Sequence, residues 1–291
     1  MATLIDRVDV VRGGWRDRHS ALHLAVAAAR TCLQQAGRDP DELDLLVNAG
    51  IYRDRNLGEP ALAALIQDDI GANPEDPHAD AHGTFSFDIA NGACGVLTAL
   101  QIVDGFLQSH TIDCALIVAS DADPGRGMSE HFPFSPVGAA VLCSWSDDDY
   151  GLGRVHWANA SGDAAGFDAT VGLEDTRNVL RFHESVQLDQ LFAAAAAQAA
   201  RGCLQELALG IGDVDAIVAA PARRGYRGAL AEQLSIPVER ITVADDETMH
   251  TAALAAALGM ATNLPAGAHV LLVAAGAGVV AAAAVYRQPP R

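Results

Sequence analysis

The chain has 291 residues, a formal charge of −18, and a hydrophobic fraction of 50%. That is enough chain for one large core or two fused halves, and the abundant alanine suits a helix-rich α/β protein. The acidic balance excludes a nucleic-acid partner, which needs a basic face, and a polybasic membrane anchor.

From the N-terminus, residues 1–7 show no uninterrupted apolar run of the kind a signal peptide carries. Residues 21–36 have the apolar spacing of an amphipathic helix, and a short loop leads to Asp44 and a buried strand over 45–49. Glu59 precedes Pro60 and opens a second amphipathic run; a first-turn glutamate there stabilises a helix N-terminus. His78, Asp80 and His82 form an H-x-D-x-H pattern in a Pro/Asp/Gly-rich loop. No second cluster completes a metal shell, so a solvated loop is expected and no metal is assigned.

Cys94 follows an apolar run that ends in small residues, and an amphipathic helix begins after it. That places a thiol on a first helical turn, where orphan N–H groups and the helix dipole favour a thiolate. The other reading of Cys94 is a small buried residue that lets helix and strand pack closely. Cys32 and Cys203 fall in helical patterns, and Cys114 and Cys143 in strand-like runs, so all four are expected in the core. Five cysteines with irregular spacing and no CxxC argue against a disulfide framework or structural zinc, and for a reducing cytoplasm.

Farther on, one segment repeats. Ala29-Arg30-Thr31-Cys32-Leu33-Gln34 returns as Ala200-Arg201-Gly202-Cys203-Leu204-Gln205, an offset of 171 residues (203 − 32). At the same offset, residues 43–49 align with 214–220; residues 114–120 resemble 268–274 more loosely. Two diverged halves of similar topology, 1–150 and 151–291, account for this. The helix opening at Cys94 then needs a counterpart, and the alanine-rich segment starting at His250 supplies it. A cysteine and a histidine at facing helix starts would make a nucleophile–base pair. Arg223, Arg224 and Arg227 form a tight basic cluster at a helix start, where arginine opposes the dipole. The apolar stretch 268–285 contains Gly276 and Gly278 and reads as a buried strand pair rather than a membrane span.

This layout resembles the thiolase superfamily, and within it the ketoacyl synthase III-like enzymes, over nearly the whole chain. Asp88-Ile89-Ala90-Asn91-Gly92-Ala93-Cys94-Gly95 looks like the family's nucleophile segment. Thr248-Met249-His250-Thr251-Ala252-Ala253 is similar to its H-G-N-T-S-A segment, and residues 270–278 to its closing strand and glycine-rich turn. The resemblance implies a five-layered αβαβα fold of two pseudo-symmetric halves and a homodimer. It also implies acyl transfer through a cysteine thioester, with acyl-CoA or acyl carrier protein as donor. CoA or phosphopantetheine would then be the substrate carrier, with no permanently bound cofactor. It places Arg227 where the family docks carrier protein, with Arg223 and Arg224 beside it. It also aligns Glu59 with a base that reaches the partner's pocket in head-to-head condensing enzymes.

The departures from the family pattern are specific. Its P-H-Q-A-N segment corresponds to Pro221-Ala222-Arg223-Arg224-Gly225, so Ala222 stands where the family has histidine. His250 stands where it has asparagine, and the segment before the first helix is short. His131 lies near the family's G-D-G-A-G turn and is a candidate replacement for the missing histidine. Decarboxylative condensation needs side-chain donors for a developing enolate, and one histidine supplies a single contact. Transfer to an O, N or S acceptor needs a thiolate, an oxyanion hole and one base. The expected set is therefore Cys94 and His250, with backbone N–H groups of Cys94 and Ala277 for the oxyanion. Carbon–carbon condensation using Glu59 or His131, and a catalytically silent synthase-like subunit, are the alternatives.

Overall fold

A computed structural model describes residues 2–14, 17, 19–56, 58–73, 83–125, 127–159, 166–261 and 264–290. His78, Asp80 and His82 lie outside the described residues. The first sheet contains β1 (Ala2–Arg12), β2 (Leu45–Asn48), β3 (Phe85–Asp88), β4 (Cys114–Asp121) and β5 (Val137–Ser146), in the order β1-β5-β4-β2-β3. A second sheet contains β6 (Gly151–Leu152), β7 (His156–Asn159), β10 (Ala216–Ala220), β11 (Ile241–Thr242), β12 (His269–Gly276) and β13 (Val280–Arg287). Its order is β11-β10-β12-β13-β6, with β7 also pairing β13. Between β7 and β10 in sequence, β8 (Phe167–Glu174) and β9 (Arg177–Glu184) form an antiparallel ribbon.

The two sheets repeat one plan. In each, two parallel pairings (β3-β2-β4 and β11-β10-β12) are followed by an antiparallel strand, β5 or β13. The helices repeat as well. α1 (Ala21–Ala36) and α4 (Leu188–Glu206) precede β2 and β10; α2 (Leu62–Ile70) and α5 (Arg224–Leu234) follow them. α3 (Gly95–Gln108) and α6 (Ala253–Met260) precede β4 and β12. The repeated segments of the sequence are thus the ends of α1 and α4 and the strands β2 and β10.

Side-chain alternation builds the layers. Leu45, Val47, Ala115 and Ile117 face one core shared with α3, α6, Val218, Val270 and Leu272. Their neighbours Leu46, Leu116 and Val118 face a second core under α1 and α2. Ile217, Leu271 and Val273 face a third under α4 and α5. Strands buried on both faces read as continuous apolar runs, as these do. The result is five layers, αβαβα, with α3 and α6 in the middle. α6 is apolar almost all round because it is enclosed almost all round.

The stretch 268–285 forms the antiparallel pair β12–β13, and Cys32, Cys114, Cys143 and Cys203 are buried free thiols. Among the described residues no helix is long and apolar enough to cross a membrane.

Candidate active site

Cys94 ends a 3-10 turn, Gly92–Cys94, that feeds α3. Gly92 holds φ 51, a left-handed conformation that glycine adopts without penalty. The Cys94 amide donates to the Asn91 carbonyl at 3.0 Å. The Asn91 amide group donates to Thr98 Oγ1 at 2.9 Å, and Thr98 donates back to the Cys94 carbonyl at 2.9 Å. The nucleophile candidate therefore sits on a braced turn. From the other sheet, Gly276 ends β12 against the same turn: a β-carbon there would lie 2.8 Å from the Asn91 carbonyl oxygen and 3.2 Å from the Cys94 nitrogen. Ala277, the second oxyanion candidate, follows directly.

The thiol itself is not poised as the sequence predicts. Cys94 is 0 % exposed, and its Sγ lies 3.5 Å from the Val280 carbonyl oxygen on β13. Burial pushes the thiol up to about 12 rather than down. Desolvation outweighs the helix start.

His250 lies in the turn before α6 rather than on its first turn; its carbonyl accepts from the Ala253 amide at 3.1 Å. Phe134 stacks on its ring at a centroid distance of 4.2 Å. Nδ1 is 3.3 Å from Oδ2 of Asp121, at the end of β4, close enough for an ion pair though poorly aligned as a hydrogen bond. Asp121 is 2 % exposed. Its Oδ1 accepts from the amides of Ile51 (3.3 Å) and Tyr52 (3.0 Å), and its Oδ2 from the Thr251 amide (2.9 Å) and hydroxyl (2.5 Å). Burial alone would raise this carboxyl; the His250 ring, the Thr251 donors and the Tyr52 amide outweigh burial and hold it below its ordinary value.

His250 borders a cavity of about 210 Å³. Ala93 and Gly276, the neighbours of Cys94, line it, together with Phe134, Phe167 and Phe192. Glu184, Arg223 and Glu247 complete its polar lining. The cavity is mainly apolar, with a few converging polar groups, which is the usual character of a small-molecule site.

Residues 204–288 match the family described as 3-oxoacyl-[acyl-carrier-protein (ACP)] synthase III, C terminal. A beta-ketoacyl-[acyl-carrier-protein] synthase III of Ehrlichia canis is 25% identical over 270 residues, covering 86% of this chain and 79% of its own. One from Koribacter versatilis is 25% identical over 302 residues, covering 95% and 87%. The crystal structure of 3-oxoacyl-(acyl carrier protein) synthase III from Pseudomonas aeruginosa superposes with a TM-score of 0.80 at 19% identity, covering 99% of both chains. An OleA crystal structure from Xanthomonas campestris has a TM-score of 0.81 at 16% identity, again over 99% of both. The chain has the fold of the ketoacyl synthase III structures and is similar to such synthases over most of its length.

In this chain, Ala222 is buried in the same core as Cys94. His131 does not fill the gap: it is exposed, holds φ 52, and is not among the residues that line the cavity. Glu59 is exposed in the loop before α2 and is absent from that lining too. The start of α2, just after that loop, is fastened to β3, because the Asp88 carboxylate accepts from the Leu62 and Ala63 amides at 2.7 Å each. An anion at a helix N-terminus suits the dipole.

The arginine cluster is engaged within the protomer. Arg223 pairs with Asp189 (2.5 Å) and Glu184 (3.1 Å), Arg224 with Glu247 (2.5 Å), and Arg227 Nε donates to the Ile241 carbonyl at 2.8 Å. Partners from β9, α4 and the 245–250 turn thus offset the charge that looked unfavourable in sequence. Arg224 alone of the three keeps a mostly exposed side chain, 87%. Sequence reasoning missed Asp121, Asp189 and the pairing of Glu184 with Arg223. For Asp121 the signal was an acid closing a wholly buried strand run. Glu184 and Asp189 carried none, since their partner is distant in the chain.

Proposed function

We infer that this protein is an acyltransferase that carries the acyl group on Cys94. The supporting observation is that Ala93 and Gly276, which flank Cys94, border the same apolar cavity as His250. Attack requires the Cys94 sulfur to leave the Val280 carbonyl for that cavity by a change of rotamer. His250 takes the thiol proton. The thiolate attacks the donor's thioester carbonyl, the acyl–sulfur bond to the carrier breaks, and the carrier thiolate receives the proton from His250. In the second half, an O–H, N–H or S–H acceptor loses its proton to His250 and attacks the Cys94 thioester. The Cys94 thiolate departs and is reprotonated. The Cys94 amide serves the oxyanion by sharing its hydrogen between Asn91 and the substrate, and the Ala277 amide is the second donor. Acyl-CoA or acyl carrier protein is the donor, and exposed Arg224 is the contact left for an acidic carrier. The protein acts as a homodimer.

A second reading has its own observation. The fully buried, protonated thiol also suits a catalytically silent subunit. Incubation with acyl-CoA and acyl carrier protein, followed by intact mass measurement, separates the two. One acyl adduct on the wild type and none on Cys94→Ala is expected. No adduct from either donor, or an equal adduct on Cys94→Ala, overturns acyl transfer. A ketoacyl product formed with a malonyl thioester would instead establish condensation.

A further inference from the structure

The catalytic histidine position of the family is empty of polar groups here, and the replacement at 250 arrives with its own carboxylate. Nδ1 of His250 is enclosed and faces Asp121 Oδ2 at 3.3 Å. The ring edge bordering the cavity is therefore the one that carries Nε2. Stacking by Phe134, and Tyr52 at 5.4 Å, restrict ring rotation. Asp121 cannot turn away, because donors from the 51–52 loop and from Thr251 grip both of its oxygens. A fixed carboxylate beside one ring nitrogen keeps the proton on that nitrogen and leaves the other with its lone pair.

We propose that Asp121 is a positioning residue that holds His250 as the Nδ1–H tautomer, with unprotonated Nε2 turned to the cavity as the proton acceptor. The order of parts is that of a nucleophile–histidine–aspartate set, reached with Cys94 from the turn before α3, Asp121 from the first sheet and His250 from the turn before α6. The tautomer stands on geometry alone; its use as a base rests on the acyl-transfer reading. The competing role for Asp121 is purely structural, a staple between the 51–52 loop and the 250–252 turn.

Nitrogen NMR on histidine-labelled protein distinguishes these roles, with His250→Gln identifying the resonance. In the neutral imidazole of the wild type, His250 is expected to show a protonated Nδ1 and an unprotonated Nε2. Asp121→Asn is expected to lose that preference while acyl-Cys94 formation slows by about 10²–10⁴-fold, the usual worth of a positioned general base. A wild-type His250 protonated at Nε2 overturns the proposal, and so does an unchanged tautomer and rate in a folded Asp121→Asn. If Asp121→Asn does not fold, the wild-type tautomer alone decides. The Nδ1–H tautomer without any acyl adduct would overturn acyl transfer and support the placement of His250 by Asp121.

Discussion

At Cys94 two effects compete, and their sizes decide the outcome. A helix N-terminus stabilises an anion by about 0.3–1 kcal/mol, and about 2 kcal/mol in favourable sites. Moving the thiol from its ordinary value up to about 12 corresponds to about 4 kcal/mol in the opposite direction. Full burial wins, so the resting thiol is protonated and waits for a base. A thiol raised in the fold stabilises it below the unfolded value, near 8.5, and loses that contribution as pH rises toward 12. The same proton governs reactivity. Iodoacetamide labelling of Cys94, followed by peptide mass mapping, is expected to rise about tenfold per pH unit between pH 7 and 10. At pH 8 it should be about 10³-fold slower than a cysteine peptide. A plateau near pH 7 would mean that a stable thiolate exists and that the helix start prevails.

Among elements, the repeat was the most legible feature. Its matched pieces are α1 with α4 and β2 with β10, elements whose packing demands the same small and apolar residues in both halves. The expectation that Cys94 and His250 face each other came from it. The grip of Asp121 on His250 did not, because β4 and the turn before α6 meet only through tertiary packing. The arginine pairs stayed hidden for the same reason. Glycines separate the two kinds of information. Gly276 looks like part of a flexible turn, yet its φ is −144, an extended value any residue adopts. What requires glycine is the approach of Asn91 and Cys94 backbone atoms, at 2.8 and 3.2 Å from a built β-carbon. Gly228, inside α5, has open space around it. Gly276→Ala is expected to cost about 1–3 kcal/mol by overpacking. Gly228→Ala should add about 0.5–1 kcal/mol through helix propensity. Urea denaturation checks both; equal effects would mean that the turn gives way.

For the whole molecule, the open question is what covers β3. It is the last strand of its sheet, pairing β2 on one side, and Phe85 is 60 % exposed with its ring 5.4 Å from that of Phe87. Among the described residues no strand pairs its other side, and such an edge invites another strand. In the proposed homodimer two β3 strands pair, joining both five-stranded sheets. The loop carrying Glu59 leads into the α2 start that Asp88 ties to β3. The formal charge of −18 per chain opposes association, so salt should strengthen the dimer. Burying Phe85 is worth about 1.5–3 kcal/mol per copy, hence about 10²–10⁴-fold in the dimer dissociation constant for two copies. Sedimentation equilibrium is expected to show a wild-type dimer that tightens with salt, and Phe85→Glu to dissociate at micromolar concentration. Met260→Glu adds the same charge at an exposed apolar site on α6, away from β3, and should leave the dimer intact. A monomeric wild type, or a Phe85→Glu dimer of unchanged affinity, would remove β3 as the seam and with it any role for Glu59 in the partner's site.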